Sequence, residues 1–415
     1  MTNFNKPSYP LAEEGGPSVS RRSRPGEFPR CYLKFQTPLL HKKNIYFCYA
    51  LYTVMPIAKS TDSIFSQLAE SGHKKVAFCS DPDTGLKAII AIHNTVLGPA
   101  LGGVRMWTYK SEEEALADVL RLSKSMTYKA AISGLNLGGG SAVIIGDSRR
   151  EKTEVLMRKF GRFVKNLNGE FIAGEDVGTN PRDMEHIRME TEYVAGLPES
   201  IGGSGDPAPI AAMGVFMGIK ASVKEVFGTD SLTGKRVIVQ GIGHVGEHLV
   251  KLLRDENVKV YVSDINEDRT RQVSKKYGAE VVANHSIFDI DADIYSPCAL
   301  GGTINTQTIN KLKCGIIAGS ANNQLEDEEE HGQLLLDKGI IFAPDYVINA
   351  GGVINCYSEL MGFAKKRSLQ LTENIYEATR NVLKLSKAEN ISTILAANKI
   401  VEKRISDIDK VKSGY

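Results

Sequence analysis

A glycine motif in the second half of the chain places the strongest constraint on its fold. Gly241-Ile-Gly-His-Val-Gly246 follows a β-rich run that ends at Gln240 and opens an apolar helical pattern. In this context the first glycine allows a tight turn, the second lets the backbone approach a pyrophosphate, and the third lets the helix pack closely on the strand. The phosphates would lie at the positive end of the helix. The motif predicts a dinucleotide site that contains Gly241, Ile242, Gly243, His244, Val245 and Gly246.

An acidic residue at the end of the following β-rich run indicates which dinucleotide is bound. Asp264 lies 18 residues after Gly246. A carboxylate there can accept hydrogen bonds from a ribose 2′-hydroxyl, whereas a 2′-phosphate would meet a like charge. The pattern therefore favours NAD over NADP as the cofactor. The residues alone leave one alternative open, in which the glycines serve only a tight turn and Asp264 is an ordinary surface residue.

The order of β-rich and helical segments predicts an α/β fold with two domains. A chain of 415 residues is long enough for two or three domains. Short β-rich runs between Lys235 and Phe342 alternate with helices or loops, as in a parallel sheet with helical crossovers. We assign residues 205–350 to a Rossmann-type NAD-binding domain and residues 56–200 to an N-terminal α/β domain. Helices predicted within residues 353–415 return to that first domain.

Composition narrows the classes of partner and compartment. The formal net charge is +2, so no basic excess indicates nucleic acid as a partner. The six cysteines are scattered without a CxxC pair, which predicts no metal site and a cytoplasmic protein with reduced thiols. The apolar stretch at residues 45–55 is too short to span a membrane. Residues 1–54 are expected to form a disordered or non-native extension, with a targeting segment as the alternative.

Three features of the first half are candidates for contact with a substrate. Residues 97–106 have the composition of a backbone loop that comes close to a ligand. Lys129 lies between apolar neighbours next to a glycine-rich turn, where its ammonium could pair with a substrate carboxylate. Asp176 ends a strand ahead of a glycine and could carry a proton in a cleft. A solvated lysine and a turn-forming aspartate are the alternatives.

Several segments together resemble one enzyme family. From about Lys75 to Ile408 the chain resembles the leucine dehydrogenase branch of the Glu/Leu/Phe/Val dehydrogenases. The matching segments, besides the glycine motif, are Gly98-Pro-Ala-Leu-Gly-Gly-Val-Arg-Met-Trp107, Met126-Thr-Tyr-Lys129, Gly134-Leu-Asn-Leu-Gly-Gly139, Glu175-Asp-Val-Gly178, Pro297-Cys-Ala-Leu-Gly301, Ala318-Gly-Ser-Ala-Asn-Asn-Gln-Leu325 and Ala343-Pro-Asp-Tyr-Val-Ile-Asn-Ala-Gly-Gly-Val-Ile-Asn355. The resemblance implies NAD-dependent oxidative deamination of a branched-chain L-amino acid and a homo-oligomer built through the N-terminal domain.

The resemblance also implies roles for individual residues. Lys129 would hold the substrate carboxylate, and Asp176 would shuttle a proton to and from the amino group. Asn322 and Asn323 would lie at the nicotinamide and the substrate. The remaining substrate-binding positions would be Leu101, Gly102, Gly103, Met126, Gly174, Val353 and Cys356. Family members usually carry Ala at position 174 and Val at position 356, so this chain should have a slightly roomier apolar pocket.

One position departs from the family pattern at the centre of its chemistry. Members of the family carry a general-base lysine where this chain has Ser141. A serine hydroxyl takes up no proton near neutral pH without an adjacent base, and it supplies no positive charge. Three hypotheses follow. The chain is a dehydrogenase of impaired activity, or a catalytically inactive NAD-binding homologue that acts as a regulatory or assembly partner. In the third, Ser141 is a sequence error or an introduced substitution, and the natural chain is an active dehydrogenase.

Overall fold

The computed structural model describes residues 63–413 of the chain. The extension expected at residues 1–54 lies outside the described residues. Two sheets, each covered by helices, form the architecture, so the predicted α/β class and the Rossmann-type domain are both confirmed.

The first sheet has five strands in the spatial order β1-β2-β4-β3-β5. Strands β1 and β2 form an antiparallel hairpin, and β3 runs parallel to β4 and β5. The elements in chain order are α1 (Ile64–Ser71), β1 (Lys75–Asp81), β2 (Leu86–Asn94), β3 (Ala100–Trp107), α2 (Glu112–Ile132), β4 (Gly138–Ile145), α3 (Glu154–Lys165), β5 (Phe171–Glu175) and α4 (Pro181–Arg188).

The expectation of a loop at residues 97–106 is wrong for most of that segment. Residues 100–107 form β3, which lies between β4 and β5 within the sheet. A Cβ atom on Gly102 would lie 1.7 Å from the carbonyl oxygen of Gly140, so the glycines allow two strand backbones to approach closely. The glycine composition reflects this packing within a sheet and not a loop.

Helix α2 packs on β2 and β4 of the first sheet, and its C-terminal half lies against the start of β4, where a Cβ on Gly139 would be 2.0 Å from the Thr127 nitrogen. Its N-cap is Ser111, whose side chain accepts a hydrogen bond from the Glu114 N–H. Buried residues along one face, among them Leu116 and Val119, pack on the sheet. Lys129 lies in the last turn, where the negative end of the helix dipole favours a cation.

The second sheet has six parallel strands in the order β11-β10-β9-β6-β7-β8, which is the order of a doubly wound dinucleotide-binding sheet. Helix α5 (Ala208–Phe227) precedes it. The other elements are β6 (Arg236–Gln240), α6 (His244–Asp255), β7 (Lys259–Ser263), α7 (Glu267–Tyr277), β8 (Glu280–Val281), β9 (Ile294–Pro297), α8 (Thr306–Lys311), β10 (Ile316–Ile317), α9 (Glu328–Asp337), β11 (Ile341–Phe342) and α10 (Asp345–Ile348).

Four helices complete the described chain: α11 (Gly351–Leu360), α12 (Lys365–Glu373), α13 (Ile375–Glu389) and α14 (Thr393–Ser413). Helix α13 packs on α5, and α14 contacts both α2 and α9. The last helix therefore contacts one helix that packs on the first sheet and one that packs on β11 of the second sheet. Among residues 63–413, no helix is both long and apolar enough to cross a bilayer.

Candidate active site

A cavity of about 240 Å³ collects every residue predicted to contact the substrate. Its walls come from β3, α2, β4, β5, the loop after β10, and α11. The predicted residues that line it are Leu101, Gly102, Gly103, Met126, Lys129, Ser141, Gly174, Asp176, Asn322, Asn323, Val353 and Cys356. Residues far apart in the chain thus meet in one cleft, which has the size and mixed polarity of a small-molecule site.

Lys129 reaches across the cleft to the loop after β10. Its Nζ donates a hydrogen bond to Oδ1 of Asn322 at 3.1 Å, and Nδ2 of Asn349 donates to the same oxygen at 2.8 Å. Burial lowers the pKa of Lys129, while the carboxylates of Asp345 and Asp176 offset part of that change. The ammonium has three donors, so it can also bind an anion in the cavity.

Asp176 lies directly after β5, and Arg105 of β3 pairs with it. Arg105 Nη2 is 3.3 Å from Asp176 Oδ2, and Arg105 Nη1 is 3.0 Å from Asp118 Oδ2. Burial alone would lower the pKa of Arg105, but the carboxylates of Asp176 and Asp118 outweigh it and raise the pKa. Gly103 makes room for this arrangement, because a Cβ there would lie 2.6 Å from the Asp176 Cβ. Arg105 was not predicted as a site residue, although it stands within the motif at residues 98–107.

Ser141 occupies the wall of the cleft without a base beside it. Ser141 is 1% exposed, and its Oγ donates a hydrogen bond to the carbonyl oxygen of Gly103 at 3.0 Å. Within residues 63–413, its hydroxyl makes no hydrogen bond to a His, Asp, Glu or Lys side chain. The geometry therefore gives this hydroxyl no means of activation.

The apolar part of the cavity lining includes Leu101, Gly174, Val353 and Cys356. A Cβ atom on Gly174 would have its nearest neighbour, the Gly102 oxygen, at 3.7 Å, so the glycine leaves free space. Burial raises the pKa of the Cys356 thiol to about 12, so the thiol is neutral at physiological pH. This apolar part of the lining can contact an uncharged aliphatic side chain.

Two further residues were not predicted from the sequence: Asn349 lines the cleft, and Asp345 lies behind it. Asp345 is 6% exposed and accepts a hydrogen bond from the Asn323 N–H at 2.5 Å. Asn349 is 9% exposed, and its Oδ1 is a buried acceptor without a partner among the described residues. Both stand in the quoted motif at residues 343–355, which was the available signal, but the motif does not show which of its side chains face the cleft.

The predicted nucleotide site has the required backbone geometry. Gly241 has φ +97°, and a Cβ on Gly246 would lie 2.1 Å from the Gly241 oxygen, so both positions require glycine. A Cβ on Gly243 would meet nothing within 4 Å, which leaves an open face at the start of α6. No side chain of the described residues caps this helix N-terminus, so its N–H groups are available to phosphate. His244 and Val245 form the first turn of α6.

Asp264 lies at the end of β7, where a ribose is expected. Its Oδ2 accepts from the Ile242 N–H at 2.6 Å, and its Oδ1 accepts from the Asn266 N–H at 2.8 Å. Each carboxylate oxygen has a second lone pair, so the side chain can still accept hydrogen bonds from ribose hydroxyls. The residues present therefore fit a nicotinamide dinucleotide.

Two family models match the chain over most of its described length. Residues 73–193 match the Glu/Leu/Phe/Val dehydrogenase dimerisation domain, and residues 261–412 match Glutamate/Leucine/Phenylalanine/Valine dehydrogenase. The chain belongs to the Glu/Leu/Phe/Val dehydrogenase family. The resemblance inferred from the motifs is thereby confirmed.

Similar proteins extend the match to nearly whole chains. Leucine dehydrogenase of Bacillus cereus is 50% identical over 355 residues, which are 86% of this chain and 97% of that protein. Leucine dehydrogenase of Thermoactinomyces intermedius is 51% identical over 85% of this chain and 96% of that protein. The crystal structure of L-tryptophan dehydrogenase from Nostoc punctiforme superposes with a TM-score of 0.74 at 44% identity, covering 83% of this chain and 99% of that chain.

Proposed function

We propose that this protein catalyses the NAD-dependent oxidative deamination of a branched-chain L-amino acid to the 2-oxo acid, ammonia and NADH. The observation that carries the proposal is the placement of the Lys129 ammonium and the apolar walls at Leu101 and Val353 around one cavity. A cation for the carboxylate beside an uncharged pocket for the side chain matches the two ends of leucine, valine or isoleucine. The 50% identity with a leucine dehydrogenase supports the same substrate class.

Each of several side chains in the cleft has a separate role in this reaction. Lys129 binds the substrate carboxylate and so fixes the position of the α-carbon. Asp176, 3.3 Å from Arg105, accepts a proton from the amino group and returns it when ammonia leaves. Asn322 and Asn323 lie where the nicotinamide and the substrate meet. The bound dinucleotide supplies the hydride acceptor.

Among residues 63–413, no lysine stands at the position from which the family's general base would activate the water that attacks the imine. The family's general-base lysine is replaced by Ser141, whose hydroxyl hydrogen is donated to Gly103. Loss of a positioned acid–base group typically lowers the rate by about 10²–10⁴-fold. We therefore propose slow turnover. The similar proteins described above are all named as dehydrogenases, so the comparisons support the enzyme and not the inactive homologue.

Cofactor, assembly and location complete the proposal. Asp264 supports NAD over NADP because of its charge at the ribose position. The match to a dimerisation domain at residues 73–193 supports a homo-oligomer. The scattered cysteines support a cytoplasmic location. The domain boundaries at residues 200–205 and 350–353 remain a prediction.

The decisive experiment compares NADH formation from L-leucine and NAD at alkaline pH between the protein and its Ser141→Lys variant. We expect slow formation by the protein and an increase of about 10²–10⁴-fold in kcat for the variant. A Ser141→Met variant, which adds length without an amine, is the matched control and should not show the increase.

Two results would count against the proposal. Equal rates for the protein and Ser141→Lys would mean that another group activates water and that the role of position 141 is wrong. Absence of NADH formation by every variant, with NADH binding intact by fluorescence, would favour the inactive homologue.

A further inference from the structure

A buried carboxyl group that the mechanism does not use lies behind the cleft. Asp345 begins α10 and is 6% exposed. Carboxylates are seldom buried to this extent unless they are paired, because removal from water disfavours the charged form. The burial of the Asp345 carboxyl group therefore indicates specific partners that stabilise it.

The first contact of Asp345 is with the turn at the bottom of the cleft. Its Oδ2 accepts the Asn323 N–H at 2.5 Å. Asn323 has φ +51°, a left-handed conformation that a non-glycine residue adopts at a cost and keeps only when its surroundings hold it. The hydrogen bond from Asp345 is such a restraint.

The same turn presents a side chain to Lys129. Asn322 Oδ1 accepts a hydrogen bond from Lys129 Nζ at 3.1 Å and one from Asn349 Nδ2 at 2.8 Å. Asn349 directly follows α10, so Asp345 and Asn349 support the turn from the two ends of one short helix. The carboxyl of Asp345 thus reaches Lys129 through a continuous set of contacts.

Charge links the two residues as well. Lys129 is faced by two carboxylates, Asp345 from α10 and Asp176 from the end of β5. Asp345 is faced by Lys129 from α2 and by Glu328 from α9, with the phenol of Tyr346 next to it in the chain. Lys124 and Tyr128 of α2 and Glu402 of α14 lie further out, around Glu328 and Tyr346.

We infer that Asp345 is a positioning residue that keeps the Lys129 ammonium charged and holds the turn at Asn322 and Asn323 against it. The inference rests on the proposed function, in which Lys129 binds the substrate carboxylate. Burial lowers the pKa of Lys129, and the charge of Asp345 opposes that change. Burial likewise raises the pKa of Asp345, and the Lys129 ammonium and the Asn323 N–H oppose that change, so each residue of the pair stabilises the charged form of the other. Loss of the Asp345 charge would let Lys129 deprotonate at a lower pH, so the cleft would lose its affinity for a carboxylate under alkaline conditions.

The test measures binding and not turnover, because Ser141 limits the rate. The affinity of 4-methyl-2-oxopentanoate for the NADH-bound protein is followed by NADH fluorescence between about pH 7 and pH 10 in the protein and in Asp345→Asn. The amide can still accept the Asn323 N–H, so this variant removes mainly charge. In Asp345→Asn we expect the alkaline loss of affinity for the oxo acid to begin at a lower pH than in the unchanged protein. The variant should bind about tenfold more weakly at the alkaline end and only slightly more weakly near pH 7.

Glu328→Gln is the matched control, since it removes another carboxylate beside Asp345 that has no hydrogen bond to the turn. Its pH profile should follow that of the unchanged protein. An Asp345→Asn profile identical to that of the unchanged protein would overturn the inference. An equal loss at every pH accompanied by lost NADH binding would also overturn it, because it would show a purely structural role.

A second measurement covers the case in which Asp345→Asn folds poorly. Lys129→Met leaves the Asp345 charge buried without its cation and should lower the thermal midpoint, and adding Asp345→Asn should recover part of that loss. Additive effects of the two substitutions would overturn the inference. If the unchanged protein binds NADH but no oxo acid at any pH, the proposed function fails, and the inference fails with it for that separate reason.

Discussion

The guanidinium of Arg105 and the carboxylate of Asp176 form an ion pair of 3.3 Å at the edge of the substrate cavity. The other arm of the guanidinium holds Asp118 of α2 at 3.0 Å. The planar guanidinium of Arg105 therefore holds the Asp176 carboxylate in a fixed position relative to α2, the helix that also contains Lys129. Arg105 is the cation closest to Asp176 among the described residues, and this gives it a defined role in the orientation of that carboxylate.

Arg105→Lys should lower both stability and kcat, because a single ammonium cannot reproduce two hydrogen-bonding directions. Loss of one hydrogen bond to a charged group at a site where the arginine is 20% exposed corresponds to about 1.5–3 kcal/mol. Thermal unfolding and the pH dependence of kcat measure the two effects. Arg121→Lys is the control, since Arg121 also pairs with Asp118 but is 55% exposed, and it should change either quantity little. Equal effects of the two substitutions would contradict the role of Arg105.

Gly243→Val should weaken the binding of NADH by more than about tenfold while the protein stays folded. The side chain has open space in the free protein, but it would stand where the backbone must approach the pyrophosphate. Fluorescence titration with NADH and thermal unfolding separate the two effects. Gly315→Ala, at another position where a Cβ meets nothing within 4 Å, is the control and should leave NADH affinity unchanged. Retained affinity in Gly243→Val would place the dinucleotide elsewhere.

Asp264→Asn should reduce the preference for NAD over NADP by about tenfold, because the like charge that repels a 2′-phosphate is gone. The side-chain oxygen can still accept the Ile242 N–H, so the turn keeps one of its two hydrogen bonds. Dissociation constants for NADH and NADPH give the ratio. The control is Asp268→Asn, because the Asp268 side chain on α7 is 82% exposed, and this variant should leave the ratio unchanged. An unaltered ratio in Asp264→Asn would show that other residues select the cofactor.

Gly174→Ala should narrow the apolar pocket and disfavour longer side chains. The added methyl group fits without a clash, since its nearest neighbour is 3.7 Å away. One methylene of pocket space discriminates by about 1–3 kcal/mol, so the ratio of kcat/KM for L-leucine over L-valine should fall about tenfold or more. The ratio can be measured in a Ser141→Lys background to gain signal. A ratio that rises or stays constant would mean that Gly174 does not line the side-chain pocket.

Local patterns were sufficient for much of the fold. The six β-rich runs between residues 235 and 342 became β6 to β11 of a parallel sheet, because alternation with helices leaves few other arrangements. The hairpin β1–β2 and the start of α4, which Asn180 caps ahead of Pro181, likewise depend on residues that are close together in the chain. Residues 100–107 were misread, since glycines that allow close strand packing look the same in a sequence as glycines that form a loop.

For the candidate site, the motifs identified many of the residues, whereas the fold determined which of them lie next to each other. Lys129 and Asn322 are 193 positions apart, and no spacing rule connects them. The same holds for Arg105, Asp345 and Asn349, whose motifs were visible but whose orientation depends on which strand or helix lies beside them.

The sequence by itself determined the fold class, the family, the nucleotide motif and the replacement of a lysine by Ser141, because each depends on residue identity or short-range order. Only the tertiary structure decided that the Ser141 hydroxyl is held by Gly103 without a neighbouring base, and that Asp345 is buried behind Lys129. Protonation and hydrogen bonding depend on the groups that surround a side chain and on its access to water. Both the surrounding groups and the access to water are set by packing between segments that are far apart in the chain, and the sequence does not show which segments pack together.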